Sequence, residues 1–178
     1  MKKSDINPMP EYFDRYINLV ADVELTQAFD DSIQQLNALD INLLKRLDGK
    51  KYAPEKWTVK DIFQHLTDVE RILCYRALLF ARKDGTIPQE FDQLLLVANA
   101  NADKRPVEDL INELKTVRLA SKSLFDGFDN ETVLNKGINW KYEVSVLAVG
   151  FNIIGHQISH LKTIEEKYYP LLDKNLAA

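Results

Sequence analysis

Two histidines, His156 and His160, stand four residues apart in the stretch Gly155-His156-Gln157-Ile158-Ser159-His160-Leu161. On a helix that spacing stacks them one turn apart on a single face, where two imidazoles converge on one metal ion. The chain holds only three histidines, and the third, His65, falls in a second helical pattern. Three histidine ligands leave a coordination position open, which is the pattern of a catalytic rather than a structural metal site. The spacing alone is modest evidence, because a histidine on a helix is more often a surface or hydrogen-bonded core residue than a ligand. Its context strengthens it. Phe151, Ile153, Ile154, Ile158, Leu161 and Ile164 surround the pair, and isolated polar rings in such company need partners. Ligand histidines must be neutral, so metal affinity is expected to weaken as acid protonates them, around and below pH ~6.5.

Four amphipathic patterns must position these rings. Leu25, Phe29, Ile33, Leu36, Leu39, Leu43 and Leu47 step by threes and fours, predicting a first helix over residues 25–47 that Asp48-Gly49 and Pro54 end. Thr58, with Asp61 three residues on, opens a second helix running to about residue 83. On its wheel Asp61, Asp68, Ile72 and Arg76 lie within about 60° of His65. Arg76 is placed either to hold an anionic substrate group or to form a salt bridge with Asp68 or a neighbouring helix. Residues 84–106 form a long connection with a short helix over 93–98, long enough to cross a bundle end or cover a pocket. The third helix starts after Pro106, and Arg118 shares its inner stripe with Ile111, Leu114, Ser121 and Phe125. A buried arginine there requires a carboxylate from the protein or from a ligand. Residues 128–143 read as a polar loop. Ser145 caps the fourth helix, which Pro170 ends after residue 168. On its metal face Asn152 and Thr163 flank the histidines and could orient them. Residues 1–22, with Tyr12, Phe13, Tyr16 and Ile17, read as an arm that docks aromatic rings on the body. No strand-like alternation of any length appears, so the expectation is an all-α four-helix bundle with His65 opposite the His156/His160 pair.

The 178 residues fit one domain spanning 1–178 with a proper core. A net charge of −4 and a pI near 5.4 oppose a nucleic-acid binder. No apolar run reaches the length of a membrane span, and no signal-peptide pattern stands at the start, so a cytoplasmic location is expected. The single cysteine, Cys74, fits a reducing compartment and lies on the far side of its helix from His65.

The run Tyr52-Ala53-Pro54-Glu55-Lys56-Trp57-Thr58-Val59-Lys60-Asp61, the block His65-Leu66-Thr67-Asp68-Val69-Glu70-Arg71, and Val97-Ala98-Asn99-Ala100-Asn101-Ala102-Asp103 resemble the DinB/YfiT-like metalloprotein superfamily. So do Arg76-Ala77-Leu78, Phe91-Asp92, Val117-Arg118 and the terminal Gly155-His156…His160-Leu161. The order of the blocks is kept, and the likeness is to the YfiT-like branch. That resemblance implies a four-helix bundle, often a homodimer, with a divalent metal (zinc or nickel) on His65, His156 and His160. Some relatives transfer a low-molecular-weight thiol such as bacillithiol; others are regarded as hydrolases. Relatives often carry glutamate and histidine where Gln157 and Ser159 stand here, which weakens any mechanism that uses that glutamate as a base.

The expectation is therefore a metal-dependent enzyme acting on a small molecule, a thiol S-transferase ahead of a hydrolase. A non-catalytic bundle, in which the metal staples helices, is the rival. Asp68, Arg76 and Arg118 are the residues expected to assist, Asp68 as an acid near the site and the two arginines as anchors for carboxylates.

Overall fold

A computed structural model describes residues 1–173. The N-terminal segment makes one 3-10 turn, Lys3–Asp5, and a short helix α1, Asp14–Ile17, before α2, Leu25–Asn37. The segment is anchored at its start by Leu25 N donating to Met1 O at 3.0 Å. It docks as anticipated: Phe13 and Ile17 are buried, Ile17 completely, against the last long helix.

The stripe over residues 25–47 is not one helix. It breaks after Asn37 and resumes as α3, Ile41–Lys45, because Asp40 takes an extended conformation and its carboxylate accepts from Leu43 N at 3.0 Å. The new N-cap rotates the apolar face, so Leu44 and Leu47 are buried while Leu39 and Leu43 are only half-buried. The next helix, α4, Val59–Ala81, starts at the anticipated capping box: Thr58 Oγ1 accepts from Asp61 N and Asp61 Oδ2 accepts from Thr58 N. In the connection, Asp92 caps α5, Gln93–Asn99. Pro106 then leads into α6, Val107–Asp126.

Residues 128–143 are not simply a loop. Their second half enters a hairpin that runs on to Ser145, made of β1, Lys136–Asn139, and β2, Tyr142–Ser145, paired antiparallel from Lys136↔Ser145 to Asn139↔Tyr142. Its turn holds Trp140 at φ 59° where glycine would advertise a turn, and its strands are only four residues long. Gly137 lets it lie on the end of α4, where a Cβ would come within 2.0 Å of the Phe80 ring. Ser145, accepting from Ala148 N at 3.1 Å, caps α7, Val146–Thr163. A π-helical turn, Ile164–Tyr168, follows. Pro170 then opens a last short turn, α8, Pro170–Asp173, instead of stopping the chain's helical course, since a proline is tolerated at a first helical position.

Helices α2, α4, α6 and α7 form the bundle. Its core has two apolar halves, one around Phe29, Leu73, Phe80, Phe125 and Phe151, the other around Leu36, Phe63, Ile111, Leu114 and Ile164. A buried polar layer crosses between them. Arg118 is 1% exposed and clasps Glu70, 3% exposed, through Nε and Nη2 at 2.8 and 2.9 Å. Arg118 Nη1 also donates to Ser32 Oγ at 2.6 Å, Ser121 Oγ donates to Glu70 at 2.7 Å, and Gln157 Nε2 donates to Ser32 O at 3.0 Å. All four bundle helices thus enter one hydrogen-bonded layer. No helix among the described residues is long and apolar enough to cross a membrane.

This layer predicts an asymmetry. Arg118→Met leaves the Glu70 carboxylate without its partner and is expected to lower stability by about 3–5 kcal/mol. Glu70→Leu with Arg118→Met removes both charges and is expected to cost less than the single change. Urea unfolding of both variants checks the order; equal losses would mean that the pair carries no such coupling.

Candidate metal centre

His65 projects from the second turn of α4, and His156 and His160 from successive turns of α7, which faces α4 across the bundle. Their Nε2 atoms meet: His156 Nε2 lies 3.2 Å from His65 Nε2 and 3.1 Å from His160 Nε2. One ring nitrogen from each residue falls within 4.8 Å of the others. Ligands arranged tetrahedrally at ~2.0–2.1 Å from a zinc-sized ion sit about 3.3 Å apart, so these separations fit a shared cation. No carboxylate or thiolate joins the cluster among the described residues.

Burial holds the rings neutral. Desolvation, with the neighbouring His160, pushes His65 down to about 3, and desolvation alone pushes His160 down to about 4. His156, the deepest, is held well below the ordinary range by desolvation first, then by His160, His65, Arg118 and Arg15. The expected loss of metal affinity near pH ~6.5 therefore moves lower, because in the folded protein protons compete for these rings only in stronger acid.

The covering residues come from outside the pair of helices. Trp57, just before the α4 cap, lies 4.7 Å from the His65 ring centroid and 6.4 Å from that of His160. Tyr16 of α1 meets His156 edge-on at 5.1 Å. His65 and His156 line the inner end of a cavity of about 650 Å³, walled by Tyr12, Tyr16, Phe91 and Trp140. The same cavity is lined on α4 by Val69, Leu73 and Arg76, and on α7 by Asn152.

The structure separates the other anticipated residues. Arg76 lines the cavity and makes no ion pair with Asp68; its Nη1 donates to Asn139 Oδ1 and its Nη2 to Gln89 O at 2.8 Å. Asp68 turns towards α6, accepting from Gln64 Nε2 at 2.9 Å beside Arg71, Arg105 and Glu113. Arg118 faces Glu70, not the cavity. Asn152 is at the cavity, whereas Thr163 Oγ1 donates back to Ser159 O at 3.0 Å and so does not orient a histidine. Cys74 donates to Ser121 Oγ, and burial pushes its thiol up to about 11.

The sequence profile of the DinB superfamily matches residues 24–164. The chain belongs to the DinB superfamily. No curated protein matches it. Among solved structures it is similar to YfiT from Bacillus subtilis, described as a probable metal-dependent hydrolase with an unusual four-helix bundle topology. That similarity has a TM-score of 0.67 at 13% identity over 90% of this chain and 88% of YfiT, and it shows the shared fold.

In this DinB-superfamily bundle two covering contacts escaped sequence reasoning. Trp57 belongs to the run Tyr52–Asp61, but nothing in its spacing says that its ring reaches His65. For Tyr16 the signal was the glycine next to His156. A Cβ at Gly155 would lie 2.0 Å from Tyr16 O, so only glycine lets α1 press its backbone on α7 there. Gly155→Ala is expected to lift α1, lower stability by about 1–3 kcal/mol despite alanine's better helix propensity, and loosen Tyr16 from His156. Urea unfolding and the His156 ring proton shifts check this; a variant more stable than the parent would refute the tight approach.

The histidines also set a pH dependence of folding. Their folded pKa values lie below the ~6.5 of the unfolded chain, so the unfolded state binds more protons between about 4 and 6.5. Stability of the metal-free protein is therefore full above pH ~6.5 and falls as the pH drops, on the order of 1.4 kcal/mol per pH unit for each histidine. Urea midpoints at neutral pH and at pH ~5 read the slope. It should flatten in His160→Gln; an unchanged slope there would remove that ring as a source.

Proposed function

We propose that the protein is a divalent-metal-dependent enzyme that transfers a low-molecular-weight thiol to an electrophilic small molecule. The observation that carries this reading is a convergent, neutral three-histidine cluster, two of whose rings, His65 and His156, line an aromatic-walled cavity, with no carboxylate in the cluster among the described residues. His65, His156 and His160 are the residues that would hold the ion, zinc or nickel. Bound there, such a cation supplies a Lewis acid that lowers the pKa of a thiol or a water at its open position.

The chain's own residues favour the thiol. Cys74 is occupied at Ser121, so the sulfur must come from a cosubstrate. Asp68 is engaged towards α6 and Gln157 towards Ser32, so neither supplies a base beside the histidines. A thiol ionised at the site needs no such base, because its proton goes to solvent. Its sulfur then bonds to the electrophilic carbon while the leaving group departs with the bonding pair. Trp57 and Tyr16 cover the rings, and a cavity of about 650 Å³ reaches His65 and His156. The same reading carries a homodimer, for which Leu94 and Leu95 of α5 offer exposed apolar surface.

Metal-dependent hydrolysis is the second reading, favoured by the likeness to YfiT and by Glu90 and Asp92 at the cavity wall. A metal that merely staples the helices needs no cavity reaching the ligands. Cobalt-substituted protein separates the three. A small thiol should raise a sulfur-to-metal charge-transfer band, absent in His65→Ala, and its conjugation to a generic electrophile should outrun hydrolysis of activated esters. Ester hydrolysis without any spectral response to thiols would favour the hydrolase; no response of either kind would favour the staple. Each of His65→Ala, His156→Ala and His160→Ala should sharply reduce bound metal, and stoichiometric metal in all three would remove the site.

A further inference from the structure

Two arginines of the bundle are buried, and they are treated differently. Arg118 has the Glu70 carboxylate in bidentate contact. Arg76, 4% exposed, has no ion-pair partner among the described residues, and its Nε has no hydrogen-bond partner at all. Its remaining nitrogens reach only neutral acceptors, Asn139 Oδ1 and Gln89 O, while the Phe91 ring lies 5.3 Å from the guanidinium. A buried cation without a counter-charge is unfavourable unless an anion joins it. The acids on the same cavity wall compensate it only in part: the exposed Glu90 favours the charged guanidinium from a distance without forming an ion pair, and the Asp92 carboxylate accepts from Leu94 N and Leu95 N. A second orphan lies in the same cavity. Asn152, also 4% exposed, has its Oδ1 buried without a donor.

These groups stand in order along the cavity. On α4, His65, Val69, Leu73 and Arg76 follow one face; on α7, Asn152 precedes His156 by one turn. Arg76 is eleven residues beyond His65, about 16 Å along the helix, and since both side chains lean the same way, a ligand in contact with both groups spans this less about 3 Å of contact at each end, roughly 10 Å.

We infer that the cavity binds an elongated carboxylate: its anionic end on Arg76, an N–H or O–H donor midway on Asn152 Oδ1, and its reactive end at the histidines. The inference rests on the proposed function for which end is reactive, and not on which reaction follows. It deepens the substrate class from any small thiol to one that carries a carboxylate about 10 Å from its sulfur, with an amide or hydroxyl between.

The test uses the full chain loaded with zinc, and 3-sulfanylpropanoyl-4-aminobutyrate as the probe. Its primary amide, and the matching pair with hydroxyl in place of thiol, are the comparisons. In calorimetric titrations the carboxylate should bind at least ~10-fold tighter than its amide, and in Arg76→Gln the ratio should fall to within about 2-fold. Arg76→Lys, which keeps the charge but not the planar fork, should retain an intermediate ratio. Asn152→Leu should weaken acid and amide alike, leaving their ratio intact. No preference for the acid in the parent, or a preference that Arg76→Gln leaves untouched, overturns the inference; unchanged affinity in Asn152→Leu overturns the donor half. If Arg76→Gln fails to fold, the Arg76 Nε–H resonance of the parent decides, shifting with the acid and not with the amide. A carboxylate preference shared by the hydroxyl pair, with no advantage for sulfur, would keep this subsite and reject the thiol reading.

Discussion

The Glu70–Arg118 pair is the constraint on which the rest of the bundle depends. Apolar helix faces tolerate small slides and rotations, whereas a bidentate guanidinium–carboxylate contact tolerates little of either. This pair ties α4 to α6, Ser32 brings in α2, and Gln157 brings in α7. The histidines are attached to the same helices at nearby positions. His65 precedes Glu70 by five residues, about 140° round the helix, and His156 precedes Gln157 by one, about 100° round. Each of the two helices thus turns one face to the polar layer and another to the histidine cluster. Fixing the azimuth of the first fixes that of the second. Nε2 atoms 3.1–3.2 Å apart require such control, because a modest rotation of either helix would part them.

The burial that makes the cluster suited to a cation also makes it a poor proton sink. Imidazoles whose pKa values are pushed to about 3 and 4 present lone pairs rather than N–H⁺ groups over the physiological range. The covering rings of Trp57 and Tyr16 create that condition. The N-terminal segment, which lies outside the region matching the DinB profile, thus forms part of the cover of the histidine cluster and of the cavity wall. Its contact depends on a single hydrogen atom in place of a methyl group at Gly155.

Much of this was legible in the sequence, for identifiable reasons. Long periodic stripes, the Thr58–Asp61 capping box and the Ser145 cap are local signals, and the helices begin where they say. The convergence of His65 with His156 and His160 followed from one assumption, that two amphipathic helices face each other. The failures were non-local or chemically silent. Asp40 interrupts a stripe whose spacing continues through the break, so periodicity alone bridges it. The hairpin has no glycine in its turn and strands too short for alternation. Asp68 and Arg76 lie on the His65 side of a helical wheel, yet Asp68 is drawn towards α6 while Arg76 lines the cavity. A wheel gives an angle, and the partner that captures a long side chain is a property of the assembled bundle.

Position 157 shows how far such assembly governs chemistry. The resemblance drawn from the sequence implies a glutamate there, and a carboxylate next to a metal-ligating histidine would invite the role of general base. In this chain the side chain of Gln157 is completely buried and points to Ser32, the residue that also receives Arg118. On the same backbone and in the same rotamer, a carboxylate at 157 would lose the hydrogen bond that Gln157 Nε2 donates to Ser32 O, and would place a second negative charge beside the Glu70–Arg118 pair. The amide donates to the carbonyl and adds no charge, although its buried Oε1 meets no donor among the described residues. The packing of the four helices around Arg118 thus favours a neutral donor over an acid at 157. The chemistry open to the site is what remains once that packing is satisfied, namely three neutral rings, an aromatic wall and one buried arginine whose Nε has no hydrogen-bond partner among the described residues.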